Sequence, residues 1–425
     1  MTFCRKIAFL AIIFAVFSSC SSEDITTKIL EVNVSETYGL YDGSWIVIST
    51  PSGEVIAHQL FKRGDQMVLN TNKEISGNKV TVTILKFVEG NINIPSVDSY
   101  GFTSYTNIEV GSTLNLEFYA PENPPATGQA SLELLNFPVD ASLDEQLNIT
   151  SLNGKVGIGG TTIQENNVSN WDLVVSLPQE PSDVFISITA NENPMYHKID
   201  AMNANASISI DFNTNLRVLD NVYSLTFPTL TRYSVIILGY DSEFQSAVIN
   251  NSHIFSCASL QQEPVDIKIG YNNGYEFYQS LWTWELNDKQ ANYVKVGNAP
   301  TLSDFSVPDF NITILDPDFN SFSYQKAFAS DFLTVDWRFK NTSATVWWTV
   351  NGPLEQNQQI INQIPDEIIG LYPQLSTYLD GLTLLSTKFY QSKSNFEYGD
   401  FLQSRFSETS TYLFPKEYLI FTQLE

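Results

Sequence analysis

The sequence predicts a mainly β protein, with tandem β-sandwich modules followed by a larger β-rich C-terminal domain that carries a short helical insertion. Three observations carry that prediction. Apolar and polar residues alternate through most of the chain, which is the period of a strand with one buried face. The runs are short, and clusters of Asn, Gly, Ser and Pro separate them, supplying turn chemistry. Of the 425 residues, 43 % are hydrophobic and 16 % charged, a balance that builds cores instead of a disordered tail.

Trp45–Thr50, the turn residues Pro51–Glu54 and Val55–Leu60 read as a hairpin. In it His58 alternates with Ile56 and Leu60, a structural position. Arg63-Gly64-Asp65 falls between two strands, where Gly-Asp is turn chemistry and not an adhesion tripeptide. Lys79–Lys86 and Ser112–Phe118 are further strands. Pro121–Gly128 contains two consecutive prolines, which forbid helix and remove ladder donors, so it is the clearest linker. Residues 29–120 are therefore expected to form one module and 129–219 a second. In the second, Asp183–Thr189 matches the position and pattern of Lys79–Ile84, and Ala206–Phe212 echoes Ser112–Phe118. Each module holds about 95 residues, the size range of immunoglobulin-like domains. Tyr223–Phe227 followed by Ser234–Asp241 suggests a third start.

Residues 220–425 differ in kind. Five of the seven tryptophans lie between Trp282 and Trp348. Tyr278, Ser280, Trp282, Trp284 and Leu286 share one strand face, so Trp282 and Trp284 are expected in the core. A helical pattern spans 356–382, with Ile360, Ile361, Ile364, Ile368, Leu371, Leu375 and Leu379 at helical spacings. Pro365 with Asp366 and Glu367 resembles a fresh helix start, proline at the first helical position and acids in the first turn. The pattern thus predicts two short helices, broken near Ile364 and Pro373, before strands resume at Leu384–Gln391 and Thr411–Thr422.

The hairpin around Asn341–Ser343 yields the candidate ligand-binding residues. Leu333, Val335, Trp337 and Phe339 point one way, and Thr334, Asp336, Arg338 and Lys340 the other. On the return strand Val346, Trp348 and Val350 form the apolar face. Trp347 is left on the polar face beside Asp336 and Arg338. An indole next to acid and guanidinium groups can stack on a sugar, make a cation–π contact with Arg338, or carry a covering element. Asp316, Asp318 and Asn320 place oxygen ligands at alternate positions, a candidate calcium site. It is not the helix–loop–helix calcium loop, because Ser321 and Ala327 stand where Gly and Glu are needed. No other cofactor is expected. Among three histidines and three cysteines no zinc spacing, nucleophile elbow or phosphate loop occurs. Cys257, four residues after His253, reads as a small buried hydrophobe.

The N-terminus gives an address. Arg5 and Lys6 precede an apolar run from Ile7 to Phe17, then Ser18-Ser19-Cys20. The run is too short for a permanent membrane helix, which needs about 20 apolar residues, and has the layout of a secretory signal. Cys20 after small residues resembles the lipobox of bacterial lipoproteins. Ser21-Ser22-Glu23-Asp24 resembles the acidic export signal of surface lipoproteins in Bacteroidota. The resemblance implies a signal peptide at 1–19, acylation of Cys20, a tether at 20–28, and an outer-membrane location facing outward. It would also leave Cys257 without a disulfide partner. Removing 1–19 takes away two bases and no acid, so 22 basic residues become 20 against 47 acidic, a net charge of −27. That field disfavours nucleic acid. The expected partners are the membrane, through the lipid, and a polysaccharide or an outer-membrane protein. The expected function is non-catalytic surface binding or scaffolding, with a carbohydrate-active hydrolase or a structural component of an outer-membrane complex as alternatives. The modules would act as a spacer and hold the tryptophan-rich domain farthest from the membrane.

Overall fold

The computed structural model describes residues 26–36, 38, 44–88, 98–116, 126–138, 147–152, 156–165, 168–190, 193–227, 232–241, 252–259, 265–286, 288–300, 310–353, 363–393, 396–406 and 416–424. The protein is mainly β, as the alternation predicts. Cys20, tether residues 20–25 and most of the Pro-rich linker lie outside the described residues, and the end of the expected tether, Thr27 and Lys28, already belongs to the first strand.

The first seven strands make two layers: β1 (Thr27–Val34), β2 (Ser44–Ser49), β3 (Val55–Phe61), β4 (Gln66–Thr71), β5 (Lys79–Val88), β6 (Asp98–Glu109) and β7 (Ser112–Leu116). β1 pairs antiparallel with β4 and parallel with β7. The other layer has the order β3-β2-β5-β6. Leu30 and Val32 pack between the layers against Ile46, Ile48, Val82 and Ile84. β2 is buried at every residue, because Trp45 and Val47 on its other face enter a second core. A strand covered on both sides reads as a continuous apolar run. The Arg63-Gly64-Asp65 segment is a turn: Gly64 has φ +75°, and the Lys62 amide donates to Asp65 Oδ2 at 2.9 Å.

The next group repeats the pairing. It comprises β8 (Gly128–Pro138), β9 (Leu147–Thr150), β10 (Gly157–Glu165), β11 (Val168–Leu177), β12 (Ser182–Ala190), β13 (Asn193–Met202) and β14 (Ser207–Asp211), then α1 (Phe212–Asn215) and β15 (Arg217–Val218). β8 is antiparallel to β11 and parallel to β14, as β1 is to β4 and β7. β12 lies between β9 and β13, as β5 lies between β2 and β6. One strand differs: β10 pairs with β11, whereas β3 pairs with β2. The sequence echoes therefore fall on equivalent strands, β12 with β5 and β14 with β7.

A third group opens in the same way with β16 (Asn221–Phe227), β17 (Arg232–Tyr240), β18 (Ser252–Ser259), β19 (Val265–Tyr271), β20 (Phe277–Leu286) and β21 (Lys289–Gly297). β16 is antiparallel to β19, and the order β18-β17-β20-β21 reproduces β3-β2-β5-β6. β18 also packs on the second group. Ser187 Oγ donates to the His253 carbonyl at 2.8 Å, the His253 amide donates to Thr150 Oγ1 at 2.9 Å, and Asn148 Nδ2 donates to Ser256 Oγ at 2.9 Å.

The remaining elements are β22 (Ile312–Asp316), β23 (Ser323–Lys326), β24 (Phe332–Lys340), β25 (Ala344–Gly352), α2 (Asp366–Leu371), α3 (Leu375–Asp380), β26 (Thr383–Ser392), α4 (Tyr398–Phe406) and β27 (Glu417–Leu424). Four of these strands, in the order β27-β26-β24-β25, bridge β21 to β6 and complete one twelve-stranded sheet. β25 runs parallel to β6. The sheet thereby joins the first group of strands to the C-terminal ones. The first module is fused edge-on to the C-terminal strands, because β6 offers a free edge that only a distant strand fills. One face of the sheet holds Trp282, Trp284, Trp337 and Trp348, covered by α2 and α3 through Ile368 and Leu375, and by the β22–β23 hairpin through Phe319 and Phe322.

The helical pattern is borne out in part. α2 and α3 are separated by Tyr372–Gln374, as Pro373 requires, and residues 356–362 lie outside the described residues. Pro365 sits at the N-cap and not at the first helical position; its carbonyl accepts from the Ile368 and Ile369 amides. Pro365 thus takes the extended cap backbone that precedes the helix. The pattern missed α4, whose apolar residues Phe401, Leu402 and Phe406 are too few for a clear period. The last strand is described from Glu417; 411–415 lies outside the described residues.

Candidate functional site

The β24–β25 hairpin builds the polar face that the sequence singles out. Its turn is closed by Asn341 Oδ1, which accepts from the Ser343 amide at 2.8 Å and the Ala344 amide at 2.7 Å. That register sets Arg338 opposite Trp347, Asp336 opposite Thr349, and Trp337 opposite Trp348. Paired residues share a face, so Trp337 and Trp348 enter the core, at 0 % and 1 % exposure, and Trp347 remains 39 % exposed.

Asp336 is a hub. Its Oδ1 accepts from Thr349 Oγ1 at 2.7 Å, and its Oδ2 from Ser386 Oγ at 3.0 Å and Lys388 Nζ at 2.9 Å. The Asp336 side chain is 14 % exposed, so the lysine and two hydroxyls replace the water that burial removes. Ser386 and Lys388 were not foreseen. Alternation through β26 places both on one face, but which strand they would neighbour depends on a pairing across about 50 residues, and spacing alone does not reveal it.

Arg338 sits over Trp347, its Cζ 4.4 Å from the ring centroid. This is the cation–π contact among the sequence alternatives, worth about 0.5–1 kcal/mol at an exposed site. The next residues in the same cross-strand row are Gly101, opposite Trp347, and Lys86, opposite Gly101. Among the described residues a Cβ on Gly101 would meet nothing within 4 Å, so none of them covers the floor beside the indole. Toward the other end of the hairpin α4 closes the face: Phe332 stacks on Tyr390 and Phe401, and burial raises the Tyr390 phenol above its usual value. The open part of the face therefore starts near Asp336 and ends at the hairpin turn.

The candidate calcium residues form a closed turn. Asp316 Oδ1 accepts from the Asp318 amide at 3.0 Å and Oδ2 from Ser321 Oγ at 2.7 Å, and Asp318 Oδ1 accepts from the Asn320 amide at 2.8 Å. These hydrogen bonds hold the Asp316 carboxyl below its usual value. The turn presents Phe319 to Trp337 and Trp348, with centroids at 5.2 and 4.6 Å. Among the described residues no three His, Cys, Asp or Glu side chains group as a metal site would.

His58 Nε2 lies 2.9 Å from Glu367 Oε2, which ties the first module to α2. The side chain of Cys257 lies outside the described residues. A cavity of about 530 Å³ opens between α4 and strands β5 to β7, lined by Lys79, Glu109, Asp331, Glu397 and Tyr398 among others. It includes none of Asp336, Arg338 and Trp347. No helix among the described residues is long and apolar enough to cross a membrane. No family model matches the chain, and no curated protein matches it either.

Proposed function

We propose that this protein is a lipid-anchored outer-membrane surface protein that binds carbohydrate without transforming it, through the open end of the β24–β25 face. One observation carries the reading: Trp347 presents an exposed indole from a rigid sheet, beside an arginine and a carboxylate whose positions the strand register fixes. An immobile aromatic plane bordered by polar groups suits a sugar ring, whose C–H face stacks while its hydroxyls find donors and acceptors. Asp336 is already held by three donors, which suits an orienting acceptor better than a proton-transferring acid.

Two variants test it. Trp347→Ala should abolish retardation of the full chain in native gels containing polysaccharide, with the melting temperature unchanged to within a few degrees, because the side chain is not in the core. Unchanged retardation would sink the site. Cys20→Ala should abolish incorporation of labelled palmitate and release the protein from the membrane fraction; retained labelling would sink the anchor.

A further inference from the structure

We propose that the polysaccharide bound here is an acidic one, whose uronate carboxylates pair with Arg338 while the sugar face lies on Trp347. The inference rests on the carbohydrate-binding reading above and narrows it to a substrate class. Its first support is a charge left uncompensated. The chain has 47 acidic residues against 22 basic, so partners for a cation are abundant. Arg338 nonetheless takes part in none of the ion pairs among the described residues. Its Nε is buried without an acceptor among the described residues. The nearest acid on the face, Asp336, is neutralised by Lys388 and does not turn to the guanidinium.

The geometry adds a second support. Arg338 Cζ lies 4.4 Å over the Trp347 ring, and a guanidinium that packs on an indole through its face keeps terminal N–H donors available in its own plane. A carboxylate approaching in that plane can accept two of them, the strongest form of this contact. The floor over Gly101, which none of the described residues covers, gives a pyranose ring room beside the indole. Lys340, exposed at the end of the same strand face, adds positive charge. A neutral sugar would leave the guanidinium without its counter-charge. The negative field of the whole protein is screened over about 8 Å at physiological salt. It therefore weakens a densely charged polyanion more than a glycan with spaced carboxylates.

Native affinity gels with the full chain test this, using hyaluronate, alginate and polygalacturonate, with fully methyl-esterified polygalacturonate, laminarin and single-stranded DNA as comparators. Wild type should be retarded by at least one uronate polymer, at least tenfold more strongly than by the methyl ester or by laminarin. Arg338→Gln should lose that difference, Arg338→Lys should keep part of it, and Lys340→Gln should keep most of it. Melting curves of each variant show whether the sheet is intact. Equal retardation by the acid and its ester, or by Arg338→Gln and wild type, would overturn the proposal. If wild type and Arg338→Gln bound neutral polymers alike while Trp347→Ala bound none, the acidic class would fall and the carbohydrate reading would stand. If no polysaccharide retarded the wild type, both would fall. DNA retained as tightly as the uronates would mean that charge alone is recognised, which also overturns the proposal.

Discussion

Trp348→Ala is expected to cost about 3–5 kcal/mol of stability, the range for emptying a large aromatic from a core. Its neighbour, Trp347→Ala, should cost less than about 1 kcal/mol. Adjacent residues of the same type, on opposite faces of one strand, should thus differ severalfold in effect. Trp348 is 1 % exposed and packs between Phe102, at 4.9 Å, and Phe319, at 4.6 Å. Its Nε1 donates to Ser104 Oγ at 2.9 Å. The alanine variant therefore loses apolar contact on both sides and leaves a hydroxyl short of a buried donor. Urea denaturation of both variants checks the pair. Equal shifts in the midpoint at unchanged slope would overturn the assignment of faces.

The second large effect is on acid stability. His253 lies where β18 meets β9 and β12, and burial pushes its imidazole from 6.5 down to about 4. The unfolded chain takes up this proton first. The stability that the neutral ring secures is complete above pH 6.5 and is lost as pH falls toward 4. At about 1.4 kcal/mol per pH unit the loss approaches roughly 3 kcal/mol, of which about 2 kcal/mol is gone by pH 5. Other groups also titrate in this range, so the informative quantity is a difference. Wild type should lose about 2 kcal/mol more than His253→Gln between pH 7.5 and pH 5, measured by urea denaturation at each pH. Parallel losses in the two proteins would show that this ring does not sense the proton.

How much of this was legible in the sequence depended on distance along the chain. Alternation placed Trp347 on the polar face and Trp282, Trp284, Trp337 and Trp348 inside, because side-chain direction in a strand is a local property. The hairpin at Asn341–Ser343 was equally local. The echoes of Lys79–Ile84 and Ser112–Phe118 further along the chain marked equivalent strands for the same reason. What sequence could not supply was which edge meets which. The pairings of β25 with β6 and of β27 with β21 join segments far apart, and no period encodes them. Lys388 and Ser386 reached Asp336 only through such a pairing. The Asp316–Asn320 turn reads in two ways. Alternate oxygens suit a cation, but they also suit two consecutive side-chain-to-amide turns, and in the structure those amides hold them.

The parallel seam between β6 and β25 also has a consequence for how the chain is made. Trp348 and Ser104 are 244 residues apart, and most of the polypeptide must be synthesised before they can meet. Until then β6 displays a bare row of amides and carbonyls, the kind of edge that recruits stray strands. Closing such a long loop is slow compared with forming local hairpins. A newly made chain would therefore pass through a stage with its first module folded and one flank unsealed. Truncation before residue 344 should leave a protein that stalls there and aggregates, even though every residue of its first module is present.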